Sequence, residues 1–422
     1  MPDPTSSSSL ERLREAVRTS RPRLLALCQD LVRIDSQNPP GSTKDIAEYV
    51  IRWLGARSGV TVERVAVGAV ENLVVTLRTA KRGRRLVVNG HLDTFPVGDP
   101  AGWSASPLSG ELRDGKLYGR GVSDMKAGLA ASLIAFEAVH ALREELCGEL
   151  VLAFVGDEET GGVLGTQHLL ANVPGARGDA MLNGDVGSPQ VARFGEKGQV
   201  WVQVRAAGRS AHGAHVHLGT NAIDRLLGAI AAVRPITEAQ PAIPPDIAAA
   251  IAKARAVSEP LSGEGESCVL RGVTMNVGLI EGGIAVNLVP DAASCKIDLR
   301  FPPGLSCADI ERELAALLRP LPGIDFEVLS KCEPNVTDPE HEIVRLVCRH
   351  GEEATGQPVV ANMRIGFSDA RFYRHAGIPS VTYGPTPYNM GGSDEHILVS
   401  ELNAVAEVHA ATAYEFLLHP GS

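Results

Sequence analysis

Apolar residues at helical spacing open the chain. Leu10, Leu13 and Val17, then Leu24, Leu25, Cys28, Leu31 and Val32, recur every three or four positions, with Pro22 between the two sets. This predicts helix over residues 10–34 with a break near the proline. Asn38-Pro39-Pro40-Gly41 reads as a loop. Ser42 or Thr43 can then cap a second helix with Ile46, Val50 and Leu54 on one face, closed by Gly59. Residues 73–77 and 86–88 are short β-rich runs, and the second leads directly into His91. The Ala/Leu-rich stretch 129–139 reads as a buried helix, and the unbroken apolar run 150–155 as a buried strand.

Apolar strands alternating with helices predict a mostly parallel sheet covered on both faces. The pattern changes near residue 194. Val200, Val202 and Val204 alternate with polar residues, as in a half-exposed antiparallel strand. A helix follows over 221–233, then strands over 273–280 and 294–299 and a helix over 310–318. This succession predicts a small α+β, ferredoxin-like domain inserted in the larger α/β one. The boundaries read as 1–193 for the first part of the large domain, 194–308 for the insert and 309–422 for the second part. Within the insert, residues 236–268 are rich in Pro, Ala, Gly and Glu and read as a surface insertion, helical in part. Further β/α alternation is expected through strand 326–329, helix 341–354, strand 380–383 and helix 400–418.

Composition narrows the class. The chain has 422 residues, 44% hydrophobic and 21% charged, with a net charge of -10. That excludes the basic stripe of a nucleic-acid binder. No apolar run approaches the roughly 20 residues of a bilayer span, and the N-terminus has no basic and apolar signal-peptide pattern. The seven cysteines are scattered, with no C-x-x-C pair, so a reduced, cytoplasmic setting is expected.

The donor chemistry is concentrated at strand ends, where open α/β sheets place their ligands. His91 and Asp93 are two apart and share one face of a strand, an arrangement in which the carboxylate orients the imidazole. Asp124 stands in a glycine-rich turn before the helix at 129–139. Glu158 and Glu159 follow the strand at 150–155, so that one can bind metal while the other faces substrate. Asp185 follows a short apolar run at 180–182. Each piece alone has a bland reading: a solvated Glu-Glu loop, a helix cap at Asp124, a structural His-x-Asp. In this order, with steps of 33, 34 and 26 residues from 91 to 124, 158 and 184, chance explains them poorly. Imidazole with carboxylates and no thiolate favours zinc, with cobalt or manganese as alternatives. Three or more acidic groups around one or two histidines point to two metals sharing a carboxylate.

These residues resemble a known family. His91-Leu92-Asp93-Thr94, Gly119-Arg120-Gly121-Val122-Ser123-Asp124-Met125-Lys126-x-Gly128 and Asp157-Glu158-Glu159-x-Gly161 are similar to motifs of the M20 metallopeptidases. So are Gly208-x-x-x-His212, Gly219-x-Asn221-Ala222, Asn287-x-x-Pro290 and Asp298-Leu299-Arg300. That group includes acetylornithine deacetylase, succinyl-diaminopimelate desuccinylase and glutamate carboxypeptidase. The resemblance implies a zinc-peptidase-like catalytic domain, with a mixed sheet flanked by helices, split by a lid and dimerisation domain. It implies two zinc ions per subunit: His91 on one, Asp124 bridging, Glu159 on the second, and Asp185 completing a site. Glu158 would be the general base, Asp93 would orient His91, and a cis peptide would follow Asp124. His212 would reach the partner subunit's active site in a homodimer and stabilise the oxyanion, while Asn287 and Arg300 would hold a substrate carboxylate. His215 and His217 read as surface residues.

One position departs from the family. A histidine is expected three residues before the Asp394-Glu395 pair, and Gly391 stands there. His396, directly after the pair, is the candidate replacement; Asp394 or another group, or a weak second metal, are the alternatives. The expected function is hydrolysis of the amide bond of an N-acyl amino acid. A dipeptidase or carboxypeptidase of the same fold, and a metal-poor ligand-binding relative, are the competing readings.

Overall fold

The apolar runs become the middle of a nine-stranded mixed sheet. Its order is Val60–Val67, Val70–Arg78, Cys147–Val155, Lys81–His91, Ala180–Asn183, Ser380–Thr382, Val191–Glu196 and Asn335–Val336, with Val360–Arg364 also pairing to Val191–Glu196. The computed structural model describes residues 4–39 and 41–420; Pro40 of the predicted loop and the chain's first three residues lie outside them. Cys147–Val155, Lys81–His91, Ala180–Asn183 and Ser380–Thr382 run parallel to one another. Both faces of this centre are covered, which is why Ala180–Asn183 is buried at every position and why these strands read as unbroken apolar runs rather than alternating ones.

Helices cover the sheet as the spacing implies. The leading segment forms Pro4–Thr19 and Arg21–Arg33, broken at Ser20 just before Pro22. Lys44–Leu54 buries Ile46, Ala47, Val50 and Leu54, and ends at Gly55 rather than Gly59 because Gly55 takes a positive φ of 57°. Ala127–Ala141 is apolar all round and buried along most of its length, lying against Val399–Phe416 in the main core. No described helix is long and apolar enough to cross a membrane.

A second core belongs to a four-stranded antiparallel sheet in the order Thr274–Gly282, Ala292–Phe301, Gly198–Ala207, Ile324–Cys332. Val200, Val202, Val204 and Ala206 face that core while Trp201 and Arg205 are exposed, the alternation of a sheet covered on one side. Helices Ala222–Val233 and Cys307–Leu318 supply the cover. The succession is β-α-β-β-α-β.

Two expectations change here. The boundary read at 308/309 falls too early: Ile310, Leu314 and Leu318 pack into the small core, as the succession of elements implies, and Ile324–Cys332, expected in the large domain, pairs with Gly198–Ala207. Without that strand the small sheet would lose one edge, and its apolar face would stay open. The stretch 236–268 is not a surface insertion. It forms helices Pro245–Ser262 and Glu266–Arg271, whose Ile247, Ile251 and Leu270 are buried in the large core. Ile247, Ile251, Ala254 and Ser258 recur every three or four residues and define the buried face. Glu266 meets Arg193 at 2.9 Å with both side chains buried, and Asn362 donates to Ser258 Oγ at 3.0 Å. An unpaired Arg193 in this position would be costly, so the pair fixes where the excursion docks.

Replacing Ile251 with Ala is therefore expected to lower stability by about 2–5 kcal/mol, the cost of a buried aliphatic truncation. Urea unfolding checks this; a change within about 0.5 kcal/mol would return the segment to the surface.

Candidate metal centre

Three parallel strands end side by side and carry the donors. His91 pairs with Val155 and Asn89 with Asn183 in the sheet register, so the segments after Val155 and Asn183 leave the sheet at the level of His91. Asp124 arrives from the turn Val122–Lys126, which precedes helix Ala127–Ala141. This approach needs glycine twice. A Cβ on Gly121, at φ 74°, would lie 2.1 Å from Thr94 Cγ2, and one on Gly128 would lie 2.0 Å from the Gly184 carbonyl oxygen. The peptide between Asp124 and Met125 is cis, as the resemblance implies.

The ligand atoms of His91, Asp124 and Glu159 all lie within 4.8 Å of one another, the one such group of three among the described residues. His91 Nε2 is 2.8 Å from Asp124 Oδ1, and its Nδ1 is 2.9 Å from the Asp93 carbonyl oxygen and 3.5 Å from Asp93 Oδ1. Asp93 also ties the neighbouring strand end. Its Oδ1 accepts from the Glu158 N–H and its Oδ2 from the Glu159 N–H, both at 3.2 Å, and Asn38 Nδ2 donates to Oδ2 at 3.1 Å. One fully buried carboxylate thus orients the imidazole and both glutamates. Glu159 Oε1 accepts from the Phe95 N–H at 3.1 Å. Glu158 Oε1 lies 3.4 Å from Arg371 Nη1, whose guanidinium sits over the Phe372 ring at 4.3 Å.

The electrostatics are those of a site short of positive charge. Burial, then the Asp124 carboxylate, pushes Glu159 up to about 10. Burial pushes Glu158 up to about 8, against the pull of His91. Burial disfavours the charged His91 ring, but its hydrogen bonds to Asp124 and Asp93 outweigh this and its pKa rises. A divalent cation between imidazole and carboxylates would relieve this crowding, and one nitrogen with two oxygens is a donor set suited to zinc. The residues present fit one such ion.

The other predicted residues are placed differently. Asp185 is buried beside the group but outside it, and Arg364 Nη1 donates to its Oδ2 at 2.9 Å. His396 does not join. It stacks on Tyr388 at 5.0 Å between ring centres, with Tyr118 at 4.9 Å on strand Lys116–Tyr118, to which His396–Leu398 pairs. The reason is strand alternation. Glu395 points inward, accepting from Ser123 N at 3.0 Å and Oγ at 2.8 Å and meeting buried Arg120 at 2.6 Å, so the next residue points away. Asp394 Oδ1 accepts from Ser104 N and Oγ. His212 and Asn287 are exposed and adjacent on the small layer, where the Gly213 N–H donates to the Asn287 carbonyl at 2.7 Å. Arg300 pairs with Asp298 at 3.2 Å and donates to the Ile365 carbonyl across the two layers. The sequence reading missed Arg364, Arg371 and the Arg120–Glu395 brace. Nothing in the local sequence marks Arg364 or Arg371.

Comparison with known proteins agrees with this geometry. The family model described as Peptidase family M20/M25/M40 matches residues 87–415. A succinyl-diaminopimelate desuccinylase of Methylorubrum extorquens is 28% identical over 408 residues, covering 91% of this chain and 96% of its own. One from Cereibacter sphaeroides is 30% identical over 399 residues, with the same coverage. Among solved structures, an M20 family metallo-carboxypeptidase, Sso-CP2 from Sulfolobus solfataricus, superposes with a TM-score of 0.77 at 18% identity, covering 94% of this chain and 99% of its own. Human carnosine dipeptidase 1 gives 0.72 at 16% identity, covering 97% and 99%. The solved structures share the fold.

Asp93→Ala is expected to weaken zinc binding by about 10–100-fold, the usual effect of losing the group that orients a ligating imidazole. Competition with a chromophoric chelator measures it. A change under about threefold would mean that His91 and the glutamates hold their positions without Asp93.

Proposed function

The chain belongs to peptidase family M20/M25/M40, and from that premise we propose that it is a metal-dependent deacylase hydrolysing the amide bond of a small N-acyl amino acid. Action on amide or peptide bonds is common to the family and to its named relatives. The choice of an acylated amino acid follows the relatives at 28–30% identity, which are named desuccinylases. The observation that carries the reading is Glu158, a largely enclosed carboxyl whose backbone N–H bonds the same Asp93 that orients His91.

Zinc is the ion we assign, with cobalt or manganese able to replace it; when bound, it polarises the scissile carbonyl and makes water a stronger acid. His91, Asp124 and Glu159 hold it. Glu158 takes the proton of the attacking water and passes it to the leaving nitrogen. Arg371 fixes one Glu158 oxygen from behind. Arg300 and Asn287 are assigned to the substrate carboxylate, which a guanidinium can bind in bidentate fashion. His212, exposed on the small layer, is assigned to the oxyanion of a second copy's site.

That assignment needs a homodimer, and the small layer offers a surface for one. Thr274–Gly282 is an edge strand with Leu279 and Ile280 more than half exposed, and Ile284 beyond it is 90% exposed. Exposed apolar residues along an open sheet edge mark a pairing surface. The seven free cysteines suit the cytoplasmic setting assigned here.

Glu158→Gln is expected to lower kcat by about 10²–10⁴ while leaving zinc content unchanged. The assay is a panel of N-succinyl and N-acetyl amino acids and dipeptides with added zinc, cobalt or manganese. Retained turnover would reject the role of Glu158; faster cleavage of dipeptides would select the peptidase reading; well under one metal per chain with no hydrolysis would select the ligand-binding one. Light scattering is expected to give a dimer, and Leu279→Asp with Ile280→Asp a monomer with little activity. A fully active monomer would remove His212 from the mechanism.

A further inference from the structure

We propose that Arg364 stands in the place of a second cation, so that this chain holds one divalent ion where its family resemblance implies two. The inference rests on the metal-dependent reading above and narrows it.

Asp185, the carboxylate implied to complete one of the two sites, is already engaged at both oxygens. Oδ1 accepts from the Val186 N–H at 2.5 Å and Oδ2 from Arg364 Nη1 at 2.9 Å. The side chains are 2% and 14% exposed, so water does little to screen the guanidinium. Arg364 is placed there by the sheet: it ends strand Val360–Arg364, which pairs in parallel with Val191–Glu196, at the level of Glu196. A guanidinium stays charged at every physiological pH. An ion bound at Asp185 would have to displace it or share a carboxylate with it.

The other side of the pair is also without a donor. Gly391 has no side chain, and its carbonyl accepts from Arg120 Nη2 at 2.9 Å. Glu395 is spent on the Ser123 turn and Arg120, Asp394 on Ser104, and His396 on its tyrosine stack. What is left is the group of His91, Asp124 and Glu159, three protein ligands, the number a one-zinc catalytic site holds.

The test is to count ions on the full-length protein. Metal-free protein is titrated with Co2+, following the visible d–d absorption, and Zn2+ content is measured by mass spectrometry after desalting. One equivalent of each is expected. Two equivalents would overturn the proposal while leaving the hydrolase reading standing; none would defeat the hydrolase reading itself. Asp185→Asn is the second arm. It is expected to keep one Co2+ equivalent with affinity within about threefold, because Asp185 serves Arg364; a loss of tenfold or more would make Asp185 a metal ligand. Should that variant not fold, the wild-type count still decides.

Discussion

The site depends on the parallel register of three adjacent strands. Cys147–Val155, Lys81–His91 and Ala180–Asn183 run the same way, so their carboxyl ends finish together and the segments beyond them meet. Asp93 converts that proximity into fixed geometry by accepting N–H bonds from the next strand end while facing the His91 ring. A slip of one residue in either pairing would turn His91 to the opposite face of the sheet and separate it from the group Asp93 holds. The continuous burial of these strands is what makes such a slip costly.

Against this background the charge distribution has a simple logic. Five carboxyls, from Asp93, Asp124, Glu158, Glu159 and Asp185, converge here, the aspartates buried and the two glutamates partly so. The chain supplies counter-charge unevenly. Asp93 and Asp124 have His91, Asp185 has Arg364, and Glu159 has backbone N–H from Phe95. At an effective dielectric of about 20, two unit charges roughly 4 Å apart interact by about 4 kcal/mol, and a divalent ion doubles that. A divalent ion would displace the His91 proton and be drawn to Asp124 and Glu159, whereas the permanent charge of Arg364 would repel it from Asp185.

Much of this was legible from residue order. Strand ends, the glycine-rich turn and the Glu-Glu pair each have a local signature, and the structure brings His91, Asp124 and Glu159 together. The elements that were misplaced depend on distant partners. Helix Pro245–Ser262 has the composition of an exposed insertion, and only Arg193 and strand Val360–Arg364 give its apolar face somewhere to go. Ile324–Cys332 alternates as any half-covered strand does, so its own residues do not say which sheet it completes. Arg364 reaches Asp185 across 179 positions. His396 is different: Glu395 and His396 are consecutive in extended chain and cannot both face inward, so alternation alone argued against it as a ligand.

The glycine contact between the two turns has a further effect. With no side chain at Gly128 or Gly184, the first turn of helix Ala127–Ala141 abuts the segment that carries Asp185. The peptide dipoles of that helix sum to roughly half a positive charge at this end, and the effect is confined to its first turn. That partial charge lies beside Asp124 and Asp185, belongs to the backbone, and cannot be chelated or titrated away. It lowers the cost of keeping both carboxylates ionised side by side.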